Sequence, residues 1–166
     1  VTTFFNKLGE VLLSLSYLPT AERLTVVVVK AKNLMWTNGK TTSDPFVKVY
    51  LLQDTRKISK KKTGVKRDDP NPVYNEAMIF PVPAIELSLR ITVAESCEDG
   101  RTENIGHVII GPESGGLGVT HWNQMLATLR KPVSMWHTRG GPRSSHTRLI
   151  LELDMNVDPT SRSSVV

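Results

Sequence analysis

Hydrophobic and polar positions alternate along most of this chain with the two-residue period of β-strands. In residues 9–18, Val11, Leu13, Leu15 and Tyr17 fall on one face. Residues 24–31 form a β-branched run that predicts a strand buried on both faces. A turn signal, Ser43-Asp44-Pro45, opens the next strand, in which Phe46, Val47, Val49, Tyr50, Leu51 and Leu52 supply bulk. The polar turn Gln53-Asp54-Thr55 reverses it into a second, strongly basic strand. Further strands are predicted at 75–81, at 87–95 with Leu87, Leu89, Ile91 and Val93 on one face, at 105–110 and at 133–138. Breaks fall at Pro19 to Glu22, at Asn38-Gly39, at Asp68-Asp69-Pro70-Asn71-Pro72, at Pro83-Ala84 and in a glycine-rich loop over 111–118. One segment departs from the period of two. Over 120–129, Trp122, Met125, Leu126 and Leu129 recur at helical spacing, Thr120 is a candidate N-cap, and Pro132 ends the helix. The pattern predicts an all-β protein, an eight-stranded antiparallel sandwich with one short helix before the last core strand.

A chain of 166 residues suits one domain with a sizeable core. Residues 1–7 read as a linker, 8–139 as the domain, and 140–166 as a partly disordered tail set off by Gly140-Gly141-Pro142. Within the tail, Leu149, Leu151, Leu153 and Met155 alternate with other residues, and both an added strand and a short helix remain open. The first residue is not methionine, so the chain reads as a piece of a longer protein. No stretch is long and apolar enough to cross a membrane, and no secretory signal opens the sequence.

Charge changes this picture. Seven of the 21 basic residues lie between Arg56 and Arg67: Arg56, Lys57, Lys60, Lys61, Lys62, Lys66 and Arg67. In an extended strand Lys60 and Lys62 share a face while Lys61 points away. Lysines two apart can engage one polyphosphate head group, and each basic side chain near an anionic bilayer contributes about 1 kcal/mol. The competing reading is a solvated edge strand whose lysines prevent aggregation. The single cysteine, Cys97, excludes an internal disulfide and a cysteine-based zinc cluster. Neither a GxSxG elbow, an HExxH pair nor a phosphate loop occurs, which argues against an enzyme. The basic strand lacks the interleaved aromatics of a base-stacking surface, which argues against nucleic acid.

Several motifs carry a family resemblance. Ala31-Lys32-Asn33-Leu34, Ser43-Asp44-Pro45-Phe46-Val47-Lys48-Val49, Lys60-Lys61-Lys62-Thr63 and Asn71-Pro72-Val73-Tyr74-Asn75-Glu76 resemble a C2 domain. Ile105-Gly106, His121-Trp122, Met125-Leu126, Arg130-Lys131-Pro132 and Trp136-His137 are similar to the second C2 domain of a synaptotagmin. The match covers roughly residues 8–139. It implies top loops that bind calcium and meet membranes, a lysine-rich fourth strand that meets phosphoinositides or helical-bundle fusion (SNARE) proteins, and a lower basic pair, here Arg130 and Lys131.

The resemblance also implies five aspartates in the calcium site, at positions held here by Asn38, Asp44, Glu95, Cys97 and Glu103. Only Asp44 is an aspartate. Calcium needs six to eight oxygens, and a thiol suits it badly. The expected role of these residues is therefore structural, Glu95 and Glu103 being surface acids, and no tightly bound cofactor is expected. Trp36, in the first top loop, is either a lipid anchor or packed core. Trp122, Trp136, His121 and His137 are expected to be structural. The function so implied is a calcium-independent phospholipid- and protein-binding adaptor in vesicle trafficking. It would act on the cytoplasmic side of a vesicle or plasma membrane, with other C2 domains as further candidate partners. The alternative is a protein-interaction or oligomerisation module that does not bind lipid.

Overall fold

A computed structural model of the chain describes residues 9–34, 44–82 and 87–138. Asn38, Trp36, the 1–7 linker and the 140–166 tail lie outside the described residues. The strands are β1 (Glu10–Leu18), β2 (Arg23–Lys32), β3 (Asp44–Gln53), β4 (Arg56–Lys62), β5 (Val73–Pro81), β6 (Ser88–Ser96), β7 (Thr102–Ile110) and β8 (Val133–Thr138), with one α-helix, α1 (Gly116–Ala127), before β8. They form two four-stranded antiparallel sheets, in the orders β5-β2-β1-β8 and β4-β3-β6-β7.

The inner faces carry the alternating positions read from the sequence. Leu13, Leu15, Leu24, Val26, Val28, Val47, Val49, Leu89 and Phe80 are fully buried in one core with Trp122 and Met125. Buried tyrosines tie the ends of the strands: Tyr74 donates to the Pro45 carbonyl at 2.7 Å and Tyr17 to the Val82 carbonyl at 2.9 Å. These bonds satisfy hydroxyls that burial would otherwise leave unpaired.

Three expectations change. The run over 24–31 is buried on one face only: Thr25, Val27 and Val29 are half-buried, because the partner sheet packs on the other side. The helix begins earlier than 120–129. Gly115, at φ 74°, stands before its first turn without a side-chain cap. Thr120 does not cap it but donates from within to the Gly116 carbonyl at 3.1 Å. The reason is tertiary. A Cβ at Gly118 would lie 2.2 Å from the Ile109 carbonyl oxygen, so the glycine-rich stretch is what lets the helix settle against β7. Thirdly, Glu95 is no surface acid: it sits on β6 with no exposed area.

The β3–β4 turn is made by Asp54 and Thr55 at φ 51° and 66°, the left-handed pair of a type I′ hairpin. A β-branched residue is strained there. Thr55→Gly is expected to raise the unfolding free energy by about 1 kcal/mol in urea denaturation, less the entropy glycine adds to the unfolded chain.

Candidate functional site

The basic residues sit on an edge strand, so one side of β4 has no partner strand among the described residues. Its pairing with β3 runs Lys62 to Lys48, Lys61 to Val49 and Lys60 to Tyr50, then slips so that Lys57 faces Leu52. Two consequences follow. Lys61, opposite the buried Val49, lies on the core side, its ammonium 5.7 Å from the Phe80 ring. Lys57, Lys60 and Lys62 all project on the outer face, because the irregularity at Ile58 restores the parity that an odd spacing would break.

Tyr50 lies at the centre of that face. Its ring holds the ammonium of Lys57 at 4.3 Å and those of Lys48 and Lys60 at 5.9 Å. The face of an aromatic ring attracts cations at such distances, which offsets part of their mutual repulsion. Lys48 is largely buried and donates to Asn104 Oδ1 at 2.7 Å, so its charge is held in place. Thr63 pins the end of the strand: its Oγ1 accepts from the Val47 N–H at 2.9 Å and its own N–H donates to the Val47 carbonyl at 2.9 Å. The platform is thus two exposed ammonium groups, Lys57 and Lys60, and one fixed one, Lys48, around the Tyr50 ring, with the exposed Lys62 farther along the same face. Tyr50 and Lys48 were not singled out from sequence, although their shared even positions in β3 were visible there. What was missing was the register that sets them opposite Lys60 and Lys62.

The other basic residues lie elsewhere. Arg56 opens β4 opposite Gln53. Lys66 and Arg67 are exposed on the following loop, where the Lys66 N–H donates to the Pro45 carbonyl at 3.0 Å. Arg130 and Lys131 are exposed in the turn between α1 and β8, at the opposite end of the sandwich from Asp44. Arg130 is held at φ 72° with its N–H on the Tyr17 carbonyl at 3.0 Å.

The acidic positions of the top loops are committed to the protein. Asp44 Oδ1 accepts from the Asp68 N–H at 2.8 Å, joining the two loop ends. Asp44 and Ser96 are cross-strand partners, as are Glu95 and Glu103. Backbone bonds close the Cys97 to Arg101 turn, with Cys97 N–H on the Arg101 carbonyl at 2.8 Å. Both Asp99 oxygens are taken by Arg101, through its backbone N–H at 3.0 Å and its Nε at 2.6 Å. These bonds, led by the one from the backbone, hold the Asp99 carboxyl below its ordinary range. Among the described residues no three of the His, Cys, Asp and Glu side chains converge as a metal site would require.

Two histidines pack between α1 and β8. His121 and His137 are buried and stacked, with ring centroids 5.1 Å apart. His121 Nε2 lies 2.6 Å from the Val133 carbonyl, and its Nδ1 lies 2.9 Å from His137 Nε2. A carbonyl only accepts, so His121 donates from Nε2, its Nδ1 accepts, and His137 donates from Nε2. Burial pushes His121 down to about 4 and His137 well below its ordinary value.

The C2 domain profile matches residues 22–125. The chain is similar to human Synaptotagmin-12, 80% identical over 135 residues, which make up 80% of this chain and 32% of that protein. It is also similar to human Synaptotagmin-5, 45% identical over 140 residues, which make up 82% of this chain and 36% of that protein. It thus spans roughly a third of the length of these relatives. Among solved structures, the third C2 domain of the KIAA1228 protein superposes with a TM-score of 0.64 at 25% identity, covering 85% of this chain and 94% of that one. A C2 domain of RIM from Drosophila shares the fold, with a TM-score of 0.63 at 20% identity over 80% of this chain and 98% of that one. With the profile lying across both sheets and the helix, this chain belongs to the C2 domain family, as a non-catalytic member homologous to the synaptotagmins.

Proposed function

We propose that this domain is an adaptor that docks on phosphoinositide-bearing membranes through the outer face of β4 and β3, without a calcium switch, as part of a protein of vesicle traffic. The observation that carries the reading is the Tyr50 platform, a sheet face on which the exposed Lys57 and Lys60 stand over one aromatic ring and Lys62 follows on the same side. Several lysines held at one place are what a multiply charged head group needs, and each is worth about 1 kcal/mol near an anionic surface. Lys66, Arg67, Arg130 and Lys131 would extend the contact to fusion proteins or other C2 domains.

Calcium independence rests on the acids of the top loops. Asp44 spends an oxygen on Asp68, Asp99 spends both on Arg101, and Cys97 brings sulfur. These residues do not supply the six to eight oxygens that a calcium ion needs. A loop tip without the full set of carboxylates also has less repulsion from anionic lipid for an ion to relieve.

Co-sedimentation with phosphoinositide vesicles tests the reading. Binding is expected to be salt-sensitive and equal in calcium and in chelator. Calorimetry at sub-millimolar calcium is expected to show no saturable heat. A micromolar isotherm abolished by Asp44→Asn would overturn calcium independence, and an absence of vesicle binding would leave a protein-interaction module.

A further inference from the structure

We propose that the cavity at the lower end of the β4-β3-β6-β7 sheet is a second binding site, adjoining the lysine face at Lys57, one that takes a single carboxylate side chain presented by a partner protein. The cavity measures about 340 Å³, within the range of small ligand sites. Its lining includes the buried Leu52 and the half-buried Ile109 and Arg90. Arg90 is the unusual member. Its Nε is shielded from solvent and meets no acceptor, and no ion pair of Arg90 is found among the described residues. A guanidinium Nε shielded from water beside aliphatic side chains and lacking an acceptor is poorly satisfied, and a carboxylate that meets the fork through it remedies this.

The rim selects the kind of anion. Asp54 and Glu113 stand there exposed, beside Lys57. Two carboxylates repel a polyphosphate far more than a singly charged group, so the cavity is unsuited to the head group that the lysine face would take. They favour instead an acidic side chain whose neighbour in the partner is basic. A short peptide segment carries all of this: an aliphatic residue for the Leu52 and Ile109 wall, one carboxylate for Arg90, and one ammonium for the rim.

A strained residue and a close backbone approach meet at the same cavity. Thr55, the strained residue of the β3–β4 turn, lines it. On the other side the loop after β7 is drawn tightly onto β6, since a Cβ at Gly111 would lie 2.4 Å from the Ser88 Cβ. That approach brings Pro112 and Glu113 to the rim. A residue held in a strained conformation is a mark of functional sites, and the one at Thr55 agrees with the unpaired Nε of Arg90.

The test is an NMR titration of the 166-residue chain with acetyl-Leu-Glu-Lys-amide, acetyl-Leu-Gln-Lys-amide and inositol trisphosphate. The glutamate peptide is expected to shift the amides of Ser88, Arg90 and Ile109 saturably, roughly tenfold more tightly than the glutamine peptide. Arg90→Gln is expected to erase that preference, whereas Lys60→Ala with Lys62→Ala, both outside the cavity lining, is expected to leave it intact, which separates this site from the rest of the lysine face. If Arg90→Gln does not fold, Arg90→Lys carries the test: it keeps the charge but loses the fork, and most of the preference is expected to go. Equal affinity for the two peptides, no shift at these amides, or displacement of the glutamate peptide by inositol trisphosphate would overturn the proposal.

Discussion

Replacing Lys57, Lys60 and Lys62 together by alanine is expected to weaken binding to phosphoinositide vesicles by on the order of a hundredfold. The three ammonium groups share the outer face with Tyr50 and together are worth about 3 kcal/mol against an anionic surface. Lys61→Ala is expected to cost no more than a few-fold, because Lys61 lies on the core side of the strand near Phe80. All four side chains are exposed, so unfolding free energies should stay within about 0.5 kcal/mol of the parent. Vesicle co-sedimentation at two salt concentrations, with urea denaturation of each variant, makes the comparison. Equal losses from Lys61→Ala and from the triple variant would mean that the Tyr50 platform is not the contact and that charge alone matters. Unchanged binding in the triple variant would turn the proposed function toward a protein-only module.

The second large effect lies in the histidine pair. Stability is expected to fall by on the order of 3 kcal/mol between pH 6.5 and pH 4 from His121 alone. The unfolded chain takes up this proton near 6.5, whereas the folded domain, in which burial disfavours the charged ring, takes it up only near 4. Between the two values the unfolded state holds more protons, so the contribution is complete above 6.5 and is lost as pH falls through that window. His137 acts in the same direction, since burial and the neighbouring His121 both depress it. His121→Gln keeps a donor for the Val133 carbonyl but loses the acceptor for His137. It should be less stable by about 2 kcal/mol at pH 7.5 and should lose less on acidification. Urea denaturation at pH 7.5 and pH 4.5 measures both, and a variant with the parent's full pH dependence would sink the assignment.

Several strands were legible because the residues that face the core alternate along them. Val11, Leu13, Leu15 and Tyr17 alternate in the sequence and line one core face in the fold. The helix was legible as an element but not at its start. Apolar spacing marks Trp122 and Met125, whereas the first turn is set by the fit of Gly118 against Ile109, a contact between segments that the sequence does not show as adjacent. The burial of Glu95 was hidden for a similar reason. Glu95 ends a predicted strand beside a charged loop, where a carboxylate suggests the surface, and only the pairing of β6 with β3 and β7 draws it inside.

For the basic site the division is sharper. Seven positive residues between Arg56 and Arg67 are a fact of the sequence, and so is the turn that joins them to a core strand. Which of them act together is not. Lys57 and Lys60 are three residues apart, which in a regular strand puts them on opposite faces. The irregularity at Ile58 brings both to the Tyr50 ring, leaves Lys61 behind, and follows from how β4 pairs with β3. Composition and local pattern thus determined that this chain is a β-sandwich with a basic edge strand, because those properties depend on neighbours along the chain. The tertiary structure alone decided which charges meet, which acids are spent on backbone amides and where Arg90 is left without an anion, because those depend on register between strands far apart in sequence.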